Sequence, residues 1–144
     1  VLLINMKDNH EYFAHKYNIS NNIKEHLSLV ARDLKLLREN KDFFGKDLEK
    51  NIYLKNKKYL INLNIINFSI NDKYKLKDFL EITRKILHSR IYAFPIDGKY
   101  LMKNGMKEGL SLGKVLKMTE EEWINNNFKI SKDQIKEIIK LNSD

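Results

Sequence analysis

The sequence predicts an all-α fold, a single bundle of about seven to nine helices. Three observations carry that expectation. Apolar residues recur at alternating steps of three and four along several segments. Two S/T-x-x-E/Q boxes, Thr119 to Glu122 and Ser131 to Gln134, mark helix starts. And no run of strand formers finds a second run to pair with, so a lone strand would leave its edges unsatisfied.

The first helix is expected over about Asn9 to Tyr17, with Tyr12, Phe13 and Tyr17 available to a core. His10 and His15 are five apart, which does not place two imidazoles on one helical face. The H-E-x-x-x-H run is also not the zinc-protease H-E-x-x-H, so packing or exposed histidines are expected rather than a metal site. Ser20 is then placed to cap a helix from about Asn21 to Glu39. Its stripe of Ile23, Leu27, Val30, Leu34 and Leu37 is the clearest amphipathic pattern in the chain.

Phe43 to Asn51 reads as a short helix approached through Phe43, Phe44 and Gly45. From Ile52 to Ile70 propensity favours strand, since isoleucine, tyrosine and asparagine are poor helix formers. Leu60, Leu63, Ile66 or Asn67, and Ile70 nevertheless keep a helical period, which predicts a helix over about Lys57 to Ile70. Lys75 to Tyr92 follows, with Leu76, Phe79, Leu80, Thr83, Ile86, Leu87 and Ile91 as its expected buried stripe. Its opposite face carries Lys77, Arg84 and His88, with Arg90 near the end, where positive charge also suits the helix dipole.

The stretch from Phe94 to Trp123 organises the rest. It holds the only proline, the only tryptophan and four of the five glycines. Asp97 is placed to cap a helix over Gly98 to Asn104, and Gly105 to end it in a left-handed turn. After Met106 to Leu110, a second helix starts near Ser111 with Leu112, Val115 and Leu116 on one face. Lys99, Lys103, Lys107, Lys114 and Lys117 fall on the outside of this hairpin. A glycine inside a helix costs roughly 1 kcal/mol relative to alanine, so Gly113 asks for a reason. Two are open: close crossing of the two helices, or close approach of an RNA phosphate to the backbone at the second helix's N-terminus.

Beyond the hairpin, the Thr119 box predicts a fresh helix start at Glu120 to Glu122, with Trp123 in the core. The Ser131 box opens a last helix along Ile135, Ile138 and Ile139.

At the hairpin the chain resembles a known family. The residues Phe94-Pro95-Ile96, Gly98-Lys99, Leu101, Gly105, Gly109, Leu112-Gly113, Leu116 and Trp123-Ile124 look like the C-terminal part of the bacterial CCA-adding tRNA nucleotidyltransferase and poly(A) polymerase family. That pattern runs F-P-[IV]-x-G-x-x-L, then G-[IV]-x-P-G-P-x-[IL]-G-x-x-L, with a tryptophan shortly after. Glu108 and Leu110 stand where the family has prolines, and Met106 where it has a branched aliphatic. These changes loosen the turn and add a negative charge. Tyr17-Asn18-Ile19-Ser20 is similar to the basic, serine-containing turn before a helix of the family's body.

The resemblance implies body-like helices over about 1–92 and tail-like helices over about 93–144. It also implies a catalytic head and nucleotide-selecting neck elsewhere in the parent chain. In the family the head binds Mg²⁺ and CTP or ATP through a glycine loop and paired aspartates. No such motifs occur here, so no catalytic residue, no metal and no cofactor is expected in this chain, which alone is not expected to be an enzyme. The expected partners are tRNA or other structured RNA, together with the parent's head and neck. RNA-facing residues would be Lys99, Lys103, Lys107, Lys114 and Lys117, then Arg84, His88 and Arg90, around the hairpin glycines Gly98, Gly105, Gly109 and Gly113.

Composition bears on function as well. The 144 residues carry a net charge of +8 and a pI near 9.5, which points to an anionic partner. Yet only Arg32, Arg38, Arg84 and Arg90 of the 27 basic residues are arginine, and an AT-rich genome alone yields much lysine, asparagine and isoleucine. The competing reading is therefore a helical protein-interaction module whose lysines keep it in solution. With no cysteine, disulfides and thiolate metal sites are excluded, which fits a cytoplasmic protein. Val1 to Ile4 is too short for a signal-peptide core or a membrane span, and a chain starting at Val1 is expected to be cut from a longer one.

Overall fold

The computed structural model describes residues 9–142. Val1 to Ile4 and the side chain of His10 lie outside the described residues. Among those described there are eight α-helices and no strand: α1 Asn9–Lys16, α2 Asn21–Glu39, α3 Leu48–Lys55, α4 Lys57–Ile70, α5 Leu76–His88, α6 Gly98–Lys103, α7 Leu110–Asn125 and α8 Lys132–Leu141. They fall into two compact units, one through Ile91 and one from Tyr92 onward. Each has its own core.

The first unit buries Val30 and Leu34 of α2 with Phe43, Phe44, Leu48, Ile52, Leu60, Leu63 and Ile86. α2 contributes the middle of its stripe, whereas Ile23 near its start is half exposed. Ser20 precedes α2 without a side-chain capping bond. In α1 the buried residue is Ala14. Tyr12 and Tyr17 stay exposed, contrary to the expectation that they serve the core: α1 packs on α2 with Ala14 buried and Phe13 half-buried, and Tyr17, past the helix end, lies against Phe13 at 4.7 Å between ring centres.

The expected Phe43–Asn51 helix begins later and runs further. Local bonds hold residues 40–47 in successive turns: the Asp42 amide donates to Asn40 Oδ1 at 2.8 Å, and Asn40 Nδ2 donates to Asp47 Oδ2 at 3.0 Å. Side chains that satisfy backbone groups in this way compete with the helix. α3 therefore starts at Leu48 and continues to Lys55. Asn56 then adopts φ 67°, which ends α3, and its side chain accepts from the Tyr59 amide at 2.9 Å, which begins α4. Asparagine tolerates that left-handed backbone better than most residues.

α5 packs on α4 through Ile86, which is fully buried, with Phe79, Thr83 and Ile82 half-buried beside it. The buried stripe is narrower than the sequence predicts. Leu76, Leu80, Leu87 and Ile91 lie outside the contact and are at least half exposed. Between the helices Asn64 is buried and satisfied: its Nδ2 donates to the Phe79 carbonyl and to Thr83 Oγ1, both at 3.1 Å, and its Oδ1 accepts from the Tyr74 hydroxyl at 2.7 Å.

The second unit buries Ile96, Leu101, Met106, Val115, Ile135 and Ile139, with Leu112, Leu116 and Ile138 packed against them. Trp123 is buried among Phe94 at 5.3 Å and Phe128 at 4.9 Å between ring centres. The helix start expected at Thr119 does not exist. α7 is continuous from Leu110 to Asn125, and Thr119 lies fully buried inside it, its hydroxyl donating back to the Val115 carbonyl at 2.7 Å. That back-bond satisfies the hydroxyl without any break in the helix. At Ser131 both bonds of the capping box are present, the Gln134 amide to Ser131 Oγ at 3.2 Å and the Ser131 amide to Gln134 Oε1 at 2.9 Å.

Candidate nucleic-acid interface

The hairpin is built from its caps inward. Asp97, in extended backbone, accepts from the Tyr100 amide at 2.8 Å and starts α6. Leu101, with no exposed surface, holds this six-residue helix to the core. The Met106 amide donates to the Leu101 carbonyl at 3.1 Å and the Gly105 amide to that of Met102 at 3.2 Å, closing α6 around Gly105 at φ 104°. Side chains rarely adopt that conformation, so glycine is required there. Met106 returns to the core. Lys107 and Glu108 project into solvent, and Gly109 at φ 147° turns the chain into α7.

Gly109 has no side chain to cap α7, so the first turn of a 16-residue helix opens with no side-chain acceptor on its amides. The first residue of that helix, Leu110, is 98% exposed. Gly113 follows in the same turn. A Cβ built there meets nothing within 4 Å, so close helix crossing is not the reason for this glycine. The nearer approach is at Gly98, where a Cβ would stand 3.5 Å from Leu112 Cδ2, an ordinary van der Waals distance.

All five hairpin lysines are exposed. Lys99 and Lys103 are one turn apart on α6, Lys107 is in the turn, and Lys114 and Lys117 are on α7. Lys117 has Glu121 at 3.9 Å; the other four make no ion pair among the described residues, although Glu108 follows Lys107 in the chain. Arg84, His88 and Arg90 are exposed too, but they belong to the first unit, on and just after α5. The His88 Nδ1 lies 2.8 Å from the Arg84 carbonyl oxygen, one turn back on its own helix.

Two polar features were not singled out in the sequence. Asp33 is fully buried, with Lys55 Nζ at 2.7 Å and the Tyr59 hydroxyl donating to it at 2.8 Å. Asn64 is the second, bonded as described above. The signal for Asp33 was an acidic residue on the same helical face as Val30 and Leu37. Among the described residues no three histidine or acidic side chains gather as a metal site, and no helix is long and apolar enough to cross a membrane.

The fold and the hairpin thus define an all-α chain whose glycine-terminated helix ends carry five exposed lysines, four of them without an ion pair among the described residues. Compared with known proteins, it matches no family model, no curated protein and no solved structure.

Proposed function

We propose that this chain is the RNA-binding helical C-terminal portion of a tRNA nucleotidyltransferase or poly(A) polymerase, holding structured RNA while a head outside this sequence adds nucleotides to the 3′ end. One observation carries the reading: the α6–α7 hairpin exposes Lys99, Lys103, Lys107 and Lys114 with no ion pair among the described residues, and its α7 N-terminus has no side-chain cap. Lysines meet phosphates as point charges, and the helix end adds backbone donors of the same preference. The open space around Gly113 lets a phosphate come near the first turn of α7.

On this reading the RNA is held by its backbone and shape, with its base sequence largely unread. Mg²⁺ and CTP or ATP belong to the head, and the chain itself catalyses nothing. On the same reading the protein acts in the cytoplasm, where such an enzyme would meet tRNA. The five lysines suffice for the proposal; Arg84, His88 and Arg90 form a separate set on the other unit.

The test is tRNA binding by the full chain across a salt series. We expect a Kd on the order of 10⁻⁴–10⁻⁶ M at physiological salt, weakening steeply as salt rises. Lys103→Glu with Lys114→Glu should weaken binding further while the circular dichroism stays helical. Unchanged tRNA binding in that double variant would reject the surface. Salt-indifferent capture of a helical peptide, with no RNA bound, would support a protein-interaction module instead.

A further inference from the structure

The exposed leucines of α5 form a pattern of their own. Leu76, Leu80, Thr83 and Leu87 follow one another at steps of four, three and four, the spacing of a seam into which a second helix packs. The three leucines are 58%, 50% and 54% exposed, and the row from Leu76 to Leu87 is roughly 16 Å long, three helical turns. One edge of this row is closed by the chain's own core, since Phe79 stacks on Phe68 at 4.8 Å and Ile86 has no exposed surface. The open edge carries Lys77 and Arg84, each following a seam residue by one position, with His88 beyond them. Among the described residues Lys77 and Arg84 form no ion pair within 4 Å; Glu81, between them along the helix, pairs with Lys85 at 2.7 Å, and Lys85 first, then Lys77 and Arg84, hold its carboxyl below the usual range.

We propose that this face of α5 docks an amphipathic helix of another protein, its leucine-like side chains set into the Leu76–Leu80–Leu87 row and its acidic residues along the Lys77–Arg84 edge. The apolar row supplies the burial and the cationic edge chooses the partner's charge. A second copy of this chain fits poorly. Antiparallel pairing of two α5 helices sets Lys77 and Arg84 against their own copies, and parallel pairing sets them against the edge closed by Phe79 and Ile86. RNA fits poorly as well, because half-exposed leucines offer a phosphate nothing. This surface lies in the first unit and does not rest on the RNA reading.

The experiment uses the full chain and two fluorescent helical peptides of about sixteen residues, a length of roughly four turns. Both carry leucines at the same four-three-four spacing; one has glutamates along the edge, the other lysines. Fluorescence anisotropy should show the glutamate peptide binding in the micromolar range and the lysine peptide roughly fivefold or more weaker. Leu80→Ser with Leu87→Ser should lose roughly tenfold or more in peptide affinity, with helicity and tRNA binding unchanged, because both residues are already half exposed. Arg84→Glu should reverse the preference between peptides. Equal binding of both peptides, no binding of either, or indifference to the leucine changes would each overturn the proposal. So would a dimer in sedimentation that the leucine changes dissolve, which assigns the face to a second copy. Loss of tRNA binding in the leucine variant would assign it to RNA.

Discussion

The Tyr59 hydroxyl donates to Asp33 Oδ2 across 2.8 Å and so ties α4 to a carboxylate on α2 that has no exposed surface. Lys55 of α3 reaches the same oxygen at 2.7 Å, so three helices converge on one buried anion. Such a group is tolerable only while its partners remain. Tyr59→Phe should cost about 1–3 kcal/mol, the desolvation of an acceptor left short of a donor. Asp33→Ala should cost more, about 3 kcal/mol, since it strands a largely buried ammonium. Urea unfolding followed by circular dichroism measures both, and equal stability of the two variants with wild type would refute the convergence.

Alkaline pH should loosen the first unit. Burial pushes the Tyr74 phenol up to about 12, with the Asp78 and Glu81 carboxylates adding to the effect. Tyr59 is raised too, first by burial and then by its bond to Asp33. Below about pH 10 these phenols are protonated whether the chain is folded or not, so their contribution is complete there. Above it the unfolded chain ionises while the folded one keeps its protons, and stability falls toward pH 12. Each phenol contributes at most about 1.4 kcal/mol per pH unit, less for the water that reaches its ring. Unfolding at about pH 9 and pH 11 should show this loss, smaller in Tyr74→Phe. A flat wild-type profile would contradict it.

The two glycines at the start of α7 should respond in opposite directions. Gly113→Ala enters open space in helical backbone and should stabilise the fold by about 0.5–1 kcal/mol. Gly109→Ala is forced into φ 147° and should destabilise it by more than about 1 kcal/mol. If a phosphate approaches the α7 backbone, Gly113→Ala raises the melting temperature and weakens tRNA binding in the same protein. A rise in both would remove the backbone from the proposed contact.

Salt dependence should count the lysines. Each one that displaces a counterion contributes roughly 0.9 to the slope of log K against log salt on a duplex. Lys107→Ala should therefore reduce that slope by about one and weaken binding equally for RNAs of different sequence. A slope unchanged within error would place Lys107 off the RNA.

Asn56 should tolerate one neighbour and not another. Asn56→Gly keeps access to φ 67° and loses only the capping oxygen, a few tenths of a kcal/mol. Asn56→Ala loses the cap and asparagine's tolerance of positive φ while keeping the strained Cβ, at about 1–3 kcal/mol. Thermal melts of the two variants should separate clearly.

Much of this architecture was legible in residue spacing. α4 runs from Lys57 to Ile70, the span its period predicts, although its isoleucines and asparagines favour other conformations. Tertiary burial of Leu60 and Leu63 outweighed propensity. The hairpin's limits were legible too, because Asp97, Gly105 and Gly109 each meet a backbone requirement that few residues satisfy. Misreadings came where a local motif has two solutions. Thr119-x-x-Glu122 has the form of a start box, but a threonine hydroxyl satisfies itself equally well on the carbonyl four residues back. Leu76, Leu80 and Leu87 have the period of a core face, yet the period does not say which side of α5 meets α4. Asp33 went unread because a lone acid in an apolar stripe shows its partners, Lys55 and Tyr59, only once the helices are assembled. Among the candidate RNA residues, the grouping of the five lysines on one hairpin follows from sequence adjacency, whereas the absence of an ion pair at Lys99, Lys103, Lys107 and Lys114 among the described residues does not.

The shared residue at 56 has a bearing on how this chain can change length. One asparagine closes α3 and opens α4, which leaves the two helices no slack. An inserted residue in α4 just after it turns the rest of that helix by about 100° relative to the cap, carrying Leu60 and Leu63 out of the interior and polar neighbours in. The turn at 71–75, by contrast, joins α4 to α5 through exposed residues such as Asp72 and Lys73. Natural variants of different length should therefore gain or lose residues at the second joint and keep the first intact.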